Sequence, residues 1–226
     1  MIAFAAVLAF FLSRQVHRAG DQRRVVTRLL NLGGTVRYDY ENTGDRPNEF
    51  DSKAHPPGPA WFHDLIGDEH FQDVVLVNLR DKPITDDQLV ELTRLPKLEN
   101  LNLTNTKITG AGLVHIGRLS NLQYLSLGNT QVDDDGLRHI ANSERLWALI
   151  LDGTNVTDEG LKHLKGLTNL EEWLGLVGTN VTDAGLVHLQ RLTKLRSLNL
   201  RKTKVTADGV RELQRALPNA HNSYGP

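Results

Sequence analysis

The 226-residue chain contains no cysteine. That excludes disulfides, thiolate zinc sites, cysteine nucleophiles and lipidation at cysteine, and it leaves the compartment open. The chain also lacks any strong charge balance: 26 basic against 27 acidic residues give a net charge of -1. Nothing overall draws it to nucleic acid or to acidic polymers. No G-x-S-x-G, P-loop or H-E-x-x-H pattern occurs, so a protein that is not an enzyme and takes no cofactor is expected. A hydrophobic run able to cross a bilayer unaided is missing too. The longest is "MIAFAAVLAFFL", Met1 to Leu12, which as a helix spans roughly 18 Å against a bilayer core of roughly 30 Å. It has no basic start, and no small-x-small cleavage site follows it. Three readings stay open: the tail of a membrane anchor whose first residues lie upstream, a divergent secretion signal, or a buried or interfacial helix. Arg14, Arg18, Arg23 and Arg24 follow the run and would favour a cytoplasmic downstream side. Orientation is not fixed by one flank.

What is present is repetition. "LNLTNTKITGAGL" at Leu101 is rewritten as "LSLGNTQVDDDGL" at Leu125, "LILDGTNVTDEGL" at Leu149, "LGLVGTNVTDAGL" at Leu174 and "LNLRKTKVTADGV" at Leu198. Six copies run from Val77 onward, with paired apolar positions Val77/Leu79, Leu101/Leu103, Leu125/Leu127, Leu149/Leu151, Leu174/Leu176 and Leu198/Leu200. Apolar residues two apart predict short strands with one buried face. Beyond them stand Thr106, Thr130, Thr154, Thr179 and Thr203, with Lys82 breaking the column, and then Thr85, Thr109, Asp133, Thr157, Thr182 and Thr206. The second group are residues that cap helix N-termini. Apolar positions three apart, such as Leu113, Ile116, Leu119 and Leu122, predict short helices, partly of the 3₁₀ kind. Each copy is too small to bury its own apolar face, so it must stack on the next.

The segments "LENLNLTNT" (98–106) and "LQYLSLGNT" (122–130) meet the pattern L-x-x-L-x-L-x-x-N/T, and the chain closely resembles the leucine-rich repeat family over about two thirds of its length. The resemblance implies a right-handed α/β solenoid with a parallel concave sheet and short convex helices. Before it would come an N-terminal α/β cap and an N-terminal hydrophobic helix. It also implies that the Thr106, Thr130, Thr154, Thr179 and Thr203 hydroxyls bond backbone groups of adjacent turns. The stretches "LLNLGGTVRYDYE" and "PAWFHDLIGDEHFQDVVLVNL" further resemble the region before the repeats in membrane-anchored leucine-rich repeat proteins of planctomycete bacteria. That group has no activity to carry over.

The expected division is a hydrophobic segment (1–20), a capping region (21–73), the six-repeat solenoid (74–220) and a loose tail (221–226). Within the cap, "DQRRVVTRLLNLGG" reads as a helix ended by Gly33 or Gly34, and "TVRYDY" as a strand. "ENTGDRPNEFDSKAHPPGP" reads as a loop, and "AWFHDLIG" as a helix carrying Trp61, Phe62 and Leu65. One extra residue in "LEEWL" before Leu174 must be absorbed ahead of the strand, or side-chain facing would flip. Ser143 stands where other copies have leucine, which predicts weaker packing there.

His115, His139, His163 and His188 stand in register. Ligands to one zinc must each come within about 2.1 Å of it, whereas successive outer helices lie about 10 Å apart. Solvated surface histidines are therefore expected, and no metal. Asp133 to Asp135 fit capping and surface charge, since the EF-hand spacing is absent.

If Leu101 and Leu103 face inward, Asn78, Asn102, Ser126, Ile150, Gly175 and Asn199 face out of the concave sheet. They are flanked by Tyr124, Ala148, Trp173 and Ser197 on one side. On the other stand Arg80, Thr104, Gly128, Asp152, Val177 and Arg201. Tyr124, Ile150, Trp173 and Val177, with Trp147 at the corner, form an apolar centre. Arg80, Asn102, Asp152 and Arg201 supply polar groups around it. Such a patch fits either an interface with another protein or local packing over the insertion. The expected function is a protein-interaction module presenting its concave sheet, tethered to a membrane through residues 1–12, or cytoplasmic if that run is no anchor. Two alternatives stand beside it: an F-box-type substrate adaptor, although residues 21–73 do not resemble an F-box bundle, and a purely architectural envelope protein. The partner's identity and the oligomeric state are not fixed by the sequence.

Overall fold

Parallel strands two leucines wide recur through the chain because each copy of the phrase buries its apolar pair against the copies on either side. The computed structural model describes residues 19–41, 51, 53–54 and 72–225. The expected hydrophobic helix at Met1 to Leu12, most of the loop after Glu41 and the expected helix with Trp61, Phe62 and Leu65 lie outside the described residues. Among the described residues, no helix is long and apolar enough to cross a membrane.

Eight strands form one sheet in sequence order: β1 (Thr35–Tyr38), β2 (Val74–Asn78), β3 (Asn100–Asn102), β4 (Tyr124–Ser126), β5 (Ala148–Ile150), β6 (Trp173–Gly175), β7 (Ser197–Arg201) and β8 (His221–Gly225). β1 runs antiparallel to β2, and every later pairing is parallel. The register sets leucine on leucine: Val77, Leu101, Leu125, Leu149, Leu174 and Leu198 form one continuous row. All are at most 1% exposed and belong to a single core running from Val25 to Ala220. Leu149 pairs with Leu174, so the extra residue is taken up ahead of β6. There the N–H groups of Glu171 and Glu172 both donate to the Trp147 carbonyl, at 3.1 and 3.0 Å.

Each strand ends in a tight turn. The residue before the threonine column is left-handed in six turns: Asp81, Asn105, Asn129 and Lys202 with φ of 54 to 60°, and Gly153 and Gly178 at 65 and 69°. This places the next hydroxyl under the strand it has just left. Thr106, Thr130, Thr154, Thr179 and Thr203 donate to the carbonyls of Leu103, Leu127, Leu151, Leu176 and Leu200 at 2.6–2.7 Å. The expected bond to an adjacent turn is thus corrected: the column closes each turn on itself, because the left-handed residue folds the chain back by three positions.

Contact between turns runs instead through a second set. Asp86, Asp134, Asp158 and Asp183 each accept from the next turn's threonine, both from its backbone N–H at 2.8–2.9 Å and from its hydroxyl at 2.6 Å. The donors are Thr109, Thr157, Thr182 and Thr206. Each of those hydroxyls also accepts an N–H of its own helix's first turn, from Ala111, Glu159, Ala184 and Gly209. A Cβ on Gly112, Gly160, Gly185 or Gly209 would lie 2.1–2.4 Å from the preceding turn's carboxylate. The phrase T-D-x-G-L therefore has a residue-by-residue cause: Thr caps its own helix and reaches back, Asp receives the next turn, and Gly leaves room for the previous one.

The helices are as short as the spacing predicts. Four-residue α segments at Leu113–Ile116, Asp134–Leu137, Asp158–Leu161 and Asp183–Leu186 are each joined by three-residue 3₁₀ segments, and Asp86–Leu89 continues into Val90–Arg94. Only Ala207–Ala216 reaches ten residues among these elements.

Both ends of the sheet are covered differently. Residues 19–31 are helical and bury Ala19, Gln22, Val25, Val26 and Leu29, one face at spacings of three and four. Gly33, at φ 76°, ends the helix. Gln22 bonds the Gln72 carbonyl at 2.9 Å and the Val74 N–H at 3.2 Å, tying the helix to the start of β2. At the other end, the expected loose tail is instead strand β8, paired with β7 over five positions. A parallel strand satisfies the open edge of β7 through its backbone, whatever its side chains. Its inward positions carry Asn222 and Tyr224 in place of leucines. Asn222 donates to Gln214 Oε1 at 2.6 Å, and Gln214 in turn donates to the carbonyls of Leu217, Pro218 and Ala220 at 3.0–3.1 Å.

Candidate functional site

The concave face is made by the side chains that the leucine rows turn outward, and its texture follows from their sizes. Asn78, Asn102, Ser126, Ile150, Gly175 and Asn199 lie side by side across the strands. The asparagines curl back: Oδ1 of Asn78 accepts the Arg80 N–H, and Oδ1 of Asn102 accepts the Thr104 N–H, both at 3.0 Å. Asn199 accepts from the Arg201 N–H at 3.3 Å. Among the described residues their amide nitrogens make no hydrogen bond. Leu76, Asn78, Asn100, Asn102 and Tyr124 line a shallow depression of about 230 Å³ at this end of the sheet.

Four outward positions are not available as expected: Gly128 and Gly175 are buried, and so are Ser126 and Ala148. Ser126 is 4% exposed and Ala148 1%. Neither has turned inward, because Leu125, Leu127 and Leu149 fill the core on the other side of the strands. They are short side chains between long ones: Ser126 lies between Asn102 and Ile150, and Ala148 between Tyr124 and Trp173. Ser126 Oγ also shares a 2.7 Å hydrogen bond with Thr104 Oγ1. Facing outward and being reachable are set by different things, strand alternation in one case and neighbour size in the other.

The aromatic centre is divided. Tyr124 and Trp147 pack against each other, ring centroids 5.9 Å apart and tilted by 51°. Trp147 is half-buried, and its indole N–H donates to Gln123 Oε1 at 3.3 Å, so the corner residue belongs to this pair. Burial pushes the Tyr124 phenol above its ordinary pKa, against the lowering effect of a hydrogen bond with Ser126 and of the Arg80 charge. Trp173 is the most open of the three, at 39% exposure. Its neighbours Ile150 and Val177 are half-buried.

The polar members stand around this centre. Arg80 and Arg201 are exposed at opposite ends, and Arg80 lies 3.4 Å from the Asp81 carboxylate. Asp152 is half-buried, and one of its oxygens accepts the Val177 N–H at 2.8 Å. Burial raises its carboxyl above the usual range, outweighing that hydrogen bond.

On the convex side His115, His139, His163 and His188 are each half-buried rather than solvated. Among the described residues, no group of three or more His, Cys, Asp or Glu is placed to hold a metal ion.

Residues 96–139 match the family of leucine-rich repeats in two copies, and residues 191–213 match a leucine-rich repeat. No curated protein matches the chain. Among solved structures, it is similar to an internalin (inlF) of Listeria monocytogenes, with 20% identity and a TM-score of 0.51, over 59% of this chain and 36% of that one. An internalin C2 (inlC2) of the same organism is 22% identical, with a TM-score of 0.48, over 66% of this chain and 70% of that one. The chain thus spans about a third of the inlF chain, and the likeness concerns the fold.

Proposed function

From a chain that carries leucine-rich repeats, a kind of repeat that typically serves protein interaction, we propose that the concave sheet is a recognition face for another protein. The observation that carries this reading is Trp173: a large indole left 39% exposed at the middle of an otherwise well-filled face. It is set among half-buried Ile150, Val177 and Tyr124. Aromatic anchors inside a polar rim are where binding energy concentrates in protein interfaces, and Arg80, Asn102, Asp152 and Arg201 supply that rim. Catalysis forms no part of the reading.

The same proposal has the module held at a membrane through the apolar run Met1 to Leu12, which is supported by its composition alone. The adaptor alternative loses support from the cap, where the helix of residues 19–31 is followed by strand β1 and not by a second helix. A purely architectural role leaves the exposed indole without a purpose.

Proximity labelling or pull-down should recover a partner with the wild type. It should lose that partner with a Tyr124/Ile150/Trp173 triple alanine substitution. Because Tyr124 supports Trp147, Trp173→Ala alone is the second arm: it should weaken capture while the melting temperature stays close to wild type. Capture indifferent to both variants would refute the recognition face. A large stability loss in Trp173→Ala would make that residue part of the core.

A further inference from the structure

The centre of the concave face carries a charge that the described part of the chain does not neutralise. Asp152 accepts one backbone N–H, from Val177, and no ion pair among the described residues includes it. Half-withdrawn carboxylates without a counter-charge are costly, because water no longer solvates them fully. The cations of its own column, Arg80 and Arg201, stand three turns and two turns away, about 14 and about 10 Å at the ordinary strand spacing. The immediate neighbours in that column are Gly128 and Val177, neither charged.

The surroundings have a definite shape. Asp152 and Trp173 converge over Gly175, which is buried beneath them. A Cβ placed there would lie 2.6 Å from Asp152 Oδ1 and 3.1 Å from the Trp173 indole nitrogen. The indole is therefore laid toward the carboxylate while much of it stays open to solvent. Ile150, paired with Gly175 across the strands, forms an apolar wall beside it. On the other side Gly128 is buried beside Thr104 and Ile150, and an added Cβ there would meet nothing nearer than 3.5 Å. An apolar wall and an aromatic surface lead to one unpaired anion.

We infer that this notch receives a lysine or arginine side chain of the partner protein, its alkyl stem along Ile150 and Trp173 and its cation at Asp152. The inference rests on the concave sheet being the recognition face, and it names what that face recognises. Three contributions hold such a group, and the last two select it over a neutral one. The aliphatic stem covers apolar surface, the cation meets the indole's electron-rich face, and the carboxylate regains a charged hydrogen-bond partner.

The test needs no knowledge of the partner. The full chain, ¹⁵N-labelled, is titrated with the N-acetyl methylamides of lysine, arginine and norleucine. The Trp173 indole resonance, assigned through a Trp173→Phe variant, reports binding. Saturable shifts are expected with lysine and arginine, about tenfold weaker with norleucine, which keeps the stem and lacks the charge. Asp152→Asn retains an oxygen for the Val177 N–H and should weaken the cationic probes to the norleucine level. Asp135→Asn, on the convex side with an 89% exposed side chain, should change nothing. An equal response to all three probes, no response to either cation, or undiminished binding by Asp152→Asn would each overturn the inference. Partner capture that survives Asp152→Asn but fails with Trp173→Ala would remove the cation notch and leave the recognition face standing. Capture that survives Trp173→Ala and the triple variant would remove the face itself.

Discussion

A single residue exchange shows how closely neighbouring turns are matched. Four contacts between turns join a threonine to the aspartate one turn earlier. The fifth breaks the rule on both sides at once: Asp133 stands in the threonine position, and Gly110 stands in the aspartate position before it. Asp133 still caps its own helix, accepting the Gly136 N–H at 3.0 Å. It cannot donate, however, and a Cβ on residue 110 would lie 2.2 Å from its Oδ1. Glycine removes both the clash and the second carboxylate. Gly110→Asp should therefore destabilise the protein by about 1–3 kcal/mol, from like charges and lost space. Adding Asp133→Thr should restore most of that loss by rebuilding the pair seen at the other turns. Chemical denaturation of both single variants and the double variant gives the coupling energy. Additive single effects would show that the two positions do not communicate.

At the scale of one element, a strand here has two faces with unlike demands, and β4 separates them within three residues. Leu127, just past β4, is fully buried in the core between two turns, and Leu127→Ala should cost about 2–5 kcal/mol. Ser126 is nearly as buried by area, but under concave-face neighbours, and besides its contact with Tyr124 it shares a 2.7 Å hydrogen bond with Thr104. Ser126→Ala should cost about 0.5–1.5 kcal/mol, the worth of one such bond. Thermal or urea unfolding measures both. Equal losses would contradict the assignment of faces. The two faces were legible from alternation alone, since leucines two apart admit few other arrangements. The burial of Ser126 and Ala148 was not, because it depends on the bulk of Tyr124, Ile150 and Trp173 on adjoining strands. Strand β8 was illegible for a related reason. Its inward positions hold Asn222 and Tyr224 where the pattern looks for leucine, and its pairing is a property of the open backbone of β7.

For the whole molecule, stability is shared along a line of turns, each resting on its neighbours. Periodicity in the sequence revealed the number of repeats and the position of the insertion, while the parallel direction of the sheet came from the resemblance to leucine-rich repeats. The aspartate-to-threonine contacts stayed hidden because their two halves lie 23 or 24 residues apart. Read within one repeat, the threonine looks like a cap and nothing more. The concave centre was visible as a cluster of residue types. The unpaired state of Asp152 and the lie of Trp173 over Gly175 are matters of three dimensions. The reach-back contact also decides which stretches of this gene can be copied in tandem. A duplicate of residues 157–181 begins with a donor and leaves behind an acceptor, so each new junction repeats Thr182 on Asp158. A duplicate of residues 133–156 would bring a second Asp133 against Asp134, carboxylate to carboxylate. The first lengthened protein should fold and melt near or above the original, and the second should melt lower. Transposable segments of this chain are thus distinguished by one hydroxyl at their leading edge.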